Sequence, residues 1–372
     1  MAKKLGFGLM RMPLLEENNF AAVDIAQVEQ MVDVFLERGF TYFDTAYMYH
    51  DFKSECVVRE ALVKRHDRNS FTLASKLPTM FLKQEADQKR IFDEQLEKCG
   101  VEYFDYYLLH SLNGANYKTA QRLGSFDFVA GKKAEGKIRH IGFSFHDNAV
   151  LLDEILTAHP EMEFVQLQLN YLDWENESIQ SRKCYEVVRR HGKQIVVMEP
   201  VKGGALARVP EEAGRLFREV RAELSPASWA IRYVASLEGV MMVLSGMSSL
   251  EQLLDNTSYM QQFEPLSDRE QAVVAEAVGI INRSIAIPCT ACRYCVAGCP
   301  KQIAIPEYFA LYNAEKQSVK QAFSIQEAYY ATYAETHGKA SICIGCRKCE
   351  KICPQHLKIT DYLKQVAEIF ES

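Results

Sequence analysis

Eight of the chain's 11 cysteines fall between Cys289 and Cys353, and they come as a repeated pattern. Cys289-x2-Cys292-x2-Cys295-x3-Cys299-Pro300 is followed by Cys343-x2-Cys346-x2-Cys349-x3-Cys353-Pro354. In a large chain whose start does not read as a signal peptide, this density of thiols points to metal and not to disulfides. Paired zinc ribbons also use C-x2-C. A zinc site needs four ligands, however, and has no use for a third cysteine plus x3-Cys-Pro in both copies. The region is read as a module of its own, residues 283–372, with Ile305–Thr336 between the motifs as an inserted helical pair. The remaining cysteines, Cys56, Cys99 and Cys184, read as ordinary buried thiols on helices.

The rest of the 372 residues leaves room for a second, larger core. Short apolar runs alternate with amphipathic stretches. Strands are expected at residues 4–9, 41–44, 71–75, 105–109, 139–143, 164–168, 194–198 and 241–245. Between them lie helical patterns such as 28–38, 85–99, 178–191 and 250–262. Eight such units fit an α/β architecture of the (β/α)8 TIM-barrel kind, which takes about 250 residues. The expected organisation is a barrel over residues 1–282 followed by the small cysteine-rich domain. No G-x-G-x-x-G follows any strand, so a dinucleotide would not be held in the Rossmann manner.

Composition narrows the partners. Apolar residues make up 48% and charged residues 25%, as in a globular protein. No apolar run reaches the ~20 residues that span a bilayer, and a net charge of −6 speaks against nucleic acid. A cytoplasmic protein is expected. From Arg283 onward there are 11 Lys+Arg against 8 Asp+Glu, a balance of +3, so the rest carries −9. That asymmetry is read either as chance or as cations offsetting anionic thiolate-bound centres.

The cysteine run matches that of bacterial ferredoxins. It implies two [4Fe–4S] clusters in a small α+β ferredoxin-like domain with a helical insertion. In that arrangement the fourth cysteine of each motif ligates the other cluster. Cys289, Cys292, Cys295 and Cys353 are expected on one cluster, and Cys343, Cys346, Cys349 and Cys299 on the second.

In the barrel, chemistry belongs at the C-terminal ends of strands. Asp44 ends the second strand and Tyr49 follows it by five residues. Lys76 ends the third in Leu73-Ala74-Ser75-Lys76, and His110 ends the fourth in Tyr107-Leu108-Leu109-His110. Each alone has a bland explanation, a solvated loop residue or a satisfied core group. Together, in this order and spacing, they strongly resemble the tetrad of the aldo–keto reductase superfamily. The resemblance runs from about Lys4 to Phe263, and the attached ferredoxin-like tail is similar to that of a bacterial subgroup. It implies an NAD(P)H-dependent oxidoreductase acting on a small-molecule carbonyl or alcohol. Tyr49 would be the acid, with Lys76 lowering its pKa, Asp44 orienting Lys76 and His110 positioning the carbonyl.

The resemblance also implies cofactor positions. Ser144 and Gln166 would meet the nicotinamide carboxamide, although the family's Ser-Asn pair is here Ser144-Phe145. Met198 stands where an aromatic ring commonly stacks, and Lys202-Gly203-Gly204 matches a loop on the pyrophosphate side. Where the family carries a cation pair for a 2′-phosphate, this chain has Gly246 and Gln252. Asp255-Asn256 matches an acid–amide pair that contacts adenine, while Ser249-x-x-Gln252 also reads as a capping box. NADP or NAD is expected, with weak discrimination between them.

Hydride carries two electrons and a cubane accepts one, so a flavin between them stays open. An electron carrier such as ferredoxin or flavodoxin is the expected protein partner. Two other readings compete: a redox-sensing or carrier-docking module with little turnover, and a reductase whose clusters are purely structural.

Overall fold

A computed structural model describes residues 3–16, 19–175, 179–289, 291, 293–317, 325–353 and 355–372. The chain divides into two compact units, residues 1–209 with 216–275, and residues 210–215 with 276–372.

In the first unit eight parallel strands close into a barrel in sequence order. They are β1 (Leu5–Gly8), β2 (Tyr42–Asp44), β3 (Thr72–Leu77), β4 (Phe104–Leu112), β5 (Ile138–Phe145), β6 (Phe164–Gln168), β7 (Gln194–Met198) and β8 (Val240–Ser245). Pairing of β1 with β8, Gly6 opposite Leu244, completes the closure. The strands are short and apolar because helices cover their outer faces while side chains fill the inside. Leu5, Phe7, Phe43, Leu73 and Val243 are fully buried. Inside lie Tyr42, Leu108, Phe164 and Leu244, with Tyr42 and Tyr106 packed at 5.2 Å between ring centroids. Gly142 has a close-approach reason: a Cβ there would sit 2.4 Å from the Phe164 carbonyl oxygen.

The strands begin around a buried acid. Asp105 accepts from Arg68 Nη2 at 2.7 Å, from Arg139 Nη1 at 2.9 Å and from the Leu73 amide at 2.9 Å. Fully partnered, this carboxylate escapes the penalty of an unpaired buried charge. The opposite ends of the strands present Asp44, Lys76, His110, Ser144, Gln166, Met198 and Ser245.

In the second unit, helices Ile305–Gln317, Ile325–Thr336 and Ile359–Phe370 bury Ile305, Tyr308, Phe309, Tyr330, Ile359 and Leu363 against one another. The helical pair expected between the motifs is present, and Ile303 forms an isolated parallel bridge with Gly338. The two cysteine loops share an unusual backbone. Positive φ occurs at Ala291 and Gly345, at Arg293 and Arg347, and at Gln302 and His356. Each pair is separated by the same 54-residue offset that relates the two motifs. One loop conformation is therefore used twice.

Candidate active site and cluster sites

The residues expected at the barrel mouth converge. Lys76 Nζ donates to Asp44 Oδ1 at 2.6 Å, to the Thr45 carbonyl at 2.7 Å and to the Tyr49 hydroxyl at 3.4 Å. The Tyr49 and His110 rings meet edge-on, centroids 6.1 Å apart. Asp44, Lys76 and His110 are buried and Tyr49 is half-buried. Lys76 thus has three oxygens around its ammonium, which is what a buried cation requires.

Electrostatics follow from that packing. Burial alone would lower the Lys76 pKa, but the charges of Asp44 and Tyr49 overturn it and hold the ammonium above its usual range. Burial pushes Asp44 up, against the pull of Lys76. Burial, helped by the positive fields of Lys76 and His146, drives His110 well below the ordinary imidazole value, so its ring is neutral. The expected effect of Lys76 on the Tyr49 pKa is present, but it does not decide the outcome. Lys76 does pull it down, but burial is the larger effect and the phenol ends above its usual value. Tyr49 therefore carries its proton at neutral pH.

Sequence patterns did not reveal how Tyr49 is held. His50, Asp51 and Phe52 follow it with φ of 51°, 51° and 66°, three consecutive left-handed residues without a glycine. Each such residue costs about 1–2 kcal/mol. His50 offsets part of that cost. Its Nδ1 lies 2.9 Å from the Phe20 carbonyl and must donate to it, while Nε2 accepts from the Met12 amide at 3.2 Å. The imidazole joins the turn carrying Tyr49 to the segment after β1. Burial lowers its pKa, which favours this neutral, bridging form.

The positions implied for a nicotinamide cofactor are mixed. Gln166 Oε1 is buried and has no hydrogen-bond partner among the described residues, so it fits a donor such as a carboxamide NH2. Ser144 Oγ accepts from the Ser111 amide at 2.7 Å and keeps its own hydrogen to donate. Met198 ends β7 half-buried, and Gly203 takes a φ of 63°. Lys202 pairs with Asp173 at 2.6 Å. A Cβ on Gly246 would meet the Arg11 side chain at 3.3 Å. Gln252 is tied locally: its amide bonds Ser249 Oγ at 3.3 Å and its Oε1 accepts from Ser248 N at 2.8 Å. Asn256 is buried, donating to Ser245 Oγ and accepting from the Tyr259 hydroxyl, each at 2.7 Å. Asp255 accepts from Ser225 Oγ at 2.6 Å.

Arg11 was not foreseen as a site residue. It lies between Gly246 and Gly203 and pairs with Glu199 at 3.7 Å. Glu199 is itself a left-handed residue, φ 55°, at the end of β7. The signal in the sequence was Arg11 breaking an apolar stretch at the end of the first strand.

In the second unit the thiols sort across the motifs. One cavity is lined by Cys289, Cys295 and Cys353. A second is lined by Cys343, Cys346, Cys349 and Cys299. Each cavity thus draws on one motif for most of its thiols and on the other for its last. Cys292 lies outside the described residues. A single zinc ion, with Zn–S near 2.3 Å, holds its sulfurs about 3.8 Å apart. Among the described residues no three His, Cys, Asp or Glu side chains converge in that way. Of the leftover cysteines, Cys99 and Cys184 are buried as expected, but Cys56 is exposed, on the outer face of the helical segment Ser54–Val58.

An aldo/keto reductase family model matches residues 4–278, and a 4Fe-4S dicluster domain model matches residues 288–358. The chain belongs to the aldo/keto reductase family and carries a C-terminal 4Fe-4S dicluster domain. It is an NAD(P)H-dependent oxidoreductase. An uncharacterised oxidoreductase of Schizosaccharomyces pombe is 25% identical over 274 residues, 69% of this chain and 81% of the relative. The holo form of an aldo-keto reductase from Bacillus halodurans superposes with a TM-score of 0.57 at 24% identity, covering 74% of this chain and 91% of that one. An aldo-keto reductase from Klebsiella pneumoniae in complex with NADPH gives 0.57 at 20% identity, over 74% and 90% of the two chains. At these identities the solved structures bear on the fold. No helix among the described residues is long and apolar enough to cross a membrane.

Proposed function

We propose that the barrel interconverts a carbonyl and an alcohol with NADP(H) or NAD(H), and that two [4Fe–4S] clusters exchange single electrons with a carrier such as ferredoxin or flavodoxin. The observation that carries the first part is Lys76 bonded at once to Asp44 and to the Tyr49 hydroxyl, beside His110. When bound, the dihydronicotinamide supplies the hydride. Tyr49 gives its proton to the carbonyl oxygen, and Lys76 stabilises the tyrosinate left behind. Neutral His110 donates one N–H to the same oxygen and orients it. Asp44 keeps Lys76 cationic and aimed. Ser144 and Gln166 would hold the carboxamide, and Met198 would stand beside the ring. Lys202, Gly203 and Gly246 would serve the phosphates, and Gln252 and Asn256 the adenosine end. In alcohol oxidation the proton returns to Tyr49.

The thiols of Cys289, Cys292, Cys295 and Cys353 hold one cluster, and those of Cys343, Cys346, Cys349 and Cys299 the other. The boundary between the two domains falls at 282/283. Tyr49→Phe should lower kcat for carbonyl reduction by about 10²–10⁴ and leave cofactor affinity within about twofold. Retention of most of kcat would remove Tyr49 from the role of acid. Anaerobically prepared protein should carry about eight irons per chain, and stoichiometric zinc without iron would remove the clusters. NADH and NADPH should differ by less than about tenfold in kcat/KM. The missing cation pair withholds charge-assisted bonds, each worth roughly 1.5–3 kcal/mol, from a 2′-phosphate. A thousandfold preference for NADPH that Arg11→Ala abolishes would instead place Arg11 on that phosphate.

A further inference from the structure

The two thiol-lined cavities differ in charge. The cavity of Cys289, Cys295 and Cys353 has one cation on its lining, Arg293, and that side chain is paired with Glu307. Its other walls include Pro306, Phe309, Leu357 and Ile359. The cavity of Cys299, Cys343, Cys346 and Cys349 is lined by three cations, Lys301, Arg347 and Lys348, and by no carboxylate. Arg347 reaches Glu350 only at 3.8 Å, and Glu350 also accepts from Thr360 at 2.6 Å. Among the described residues Lys301 and Lys348 form no ion pair, and both are exposed. Ile344, on the same lining, is 62% exposed. An exposed apolar residue framed by two lysines without carboxylate partners and by Arg347, held only loosely, has the make-up of a protein-docking patch.

We propose that this face, around Cys343, Cys346, Cys349 and Cys299, is where a small acidic one-electron carrier protein docks. This rests on the proposed one-electron role of the clusters and adds the place and the charge of the partner. In the transfer, the reduced centre loses one electron and the oxidised carrier gains it, with no bond made or broken. The three cations steer an acidic surface toward the centre, and Ile344 gives it a dry contact. Steering of this kind is worth 10–10³ in rate and fades as salt shortens the Debye length to about 8 Å at 0.15 M. The neutral cavity offers no such attraction.

The test uses the full chain, loaded anaerobically and reduced with dithionite. Reoxidation is followed by the return of cluster absorbance with three oxidants: an acidic plant-type [2Fe–2S] ferredoxin, a basic c-type cytochrome and a small neutral quinone. Wild type should reoxidise faster with the ferredoxin as salt falls. The double variant Lys301→Glu/Lys348→Glu should lose at least about tenfold of that rate and become faster with the cytochrome. Calorimetric titration with oxidised ferredoxin should show salt-sensitive binding that the variant loses. The quinone should work equally in both proteins, and iron content should match. Equal rates and salt responses for ferredoxin and cytochrome, or an unchanged variant, would overturn the docking face while leaving the redox role intact. A cluster that no oxidant reoxidises would overturn both.

Discussion

The barrel mouth and the cysteine loops organise their chemical groups in opposite ways. At the mouth the protein satisfies its own charges: Lys76 is bonded to Asp44, Thr45 and Tyr49, inside walls that are already packed. In the C-terminal unit the thiols border cavities whose other walls include Ile305, Phe309, Leu357 and Leu363. Protein–protein contacts fix the first site before any ligand arrives. The second gathers thiols around its cavities, and the ligation proposed for them would add metal–sulfur bonds to that packing. Its apolar core belongs to the smaller unit, residues 210–215 with 276–372, and metal bound only by the folded form adds its binding free energy to folding.

Removing iron should give the largest effect and the cleanest separation. Chelation under reducing conditions should open residues 283–372 to proteolysis while the barrel keeps its protection and its near-UV signal. A C-terminal unit that stays resistant without iron would erase the contrast. Next comes Lys76→Met, which leaves Asp44 buried without its counter-charge. Loss of about 3–5 kcal/mol in the denaturant unfolding of the barrel is expected, and less in the double variant with Asp44→Asn. A loss below about 1 kcal/mol would mean that the site is not held by its own charges.

The smallest effect is a pH dependence confined to the barrel. Burial alone would raise Glu270, yet hydrogen bonds from Arg232, 2.7 Å away, and from Ser267 bring it down to about 2. A depressed carboxyl stabilises the fold above its unfolded value near 4.5, and that stability is lost as pH falls through about 2. At most about 3 kcal/mol is at stake. Glu270→Gln should flatten the barrel's unfolding free energy between pH 4.5 and 2 without changing the C-terminal unit. An unaltered slope would assign the acid lability elsewhere.

What could be read in advance follows from the kind of signal each feature leaves. The eight strands alternate with helices at a regular spacing, and β6 and β7 fall on the residues expected, Phe164–Gln168 and Gln194–Met198. Asp44, Lys76 and His110 were legible because a strand end is a local property. The left-handed turn after Tyr49 was not, since His50-Asp51-Phe52 contains no glycine to announce positive φ. The Arg11–Glu199 pair joins residues 188 apart in the chain, which no local pattern encodes. The direction of the Tyr49 shift depends on how far burial outweighs one cation, and residue types alone do not measure that. Cys56 was expected to be buried because cysteine usually is, but it is exposed, and a residue type alone does not say which face of a helix it occupies.

The exchange of the last cysteine between the two loops has a consequence for how the chain is made. Cys299 lines the cavity of Cys343, Cys346 and Cys349, and Cys353 that of Cys289 and Cys295. Under the ligation proposed above, neither set is complete until the returning segment has emerged, so during synthesis the first loop would wait with its thiols uncapped. The interval between the motifs lengthens that wait but adds little equilibrium cost, since doubling a loop adds only about 0.6 kcal/mol of closure entropy. Iron delivery to the first centre would thereby follow emergence of Cys353. Under the same ligation, a polypeptide cut short before Cys353 would be left with an incomplete first centre.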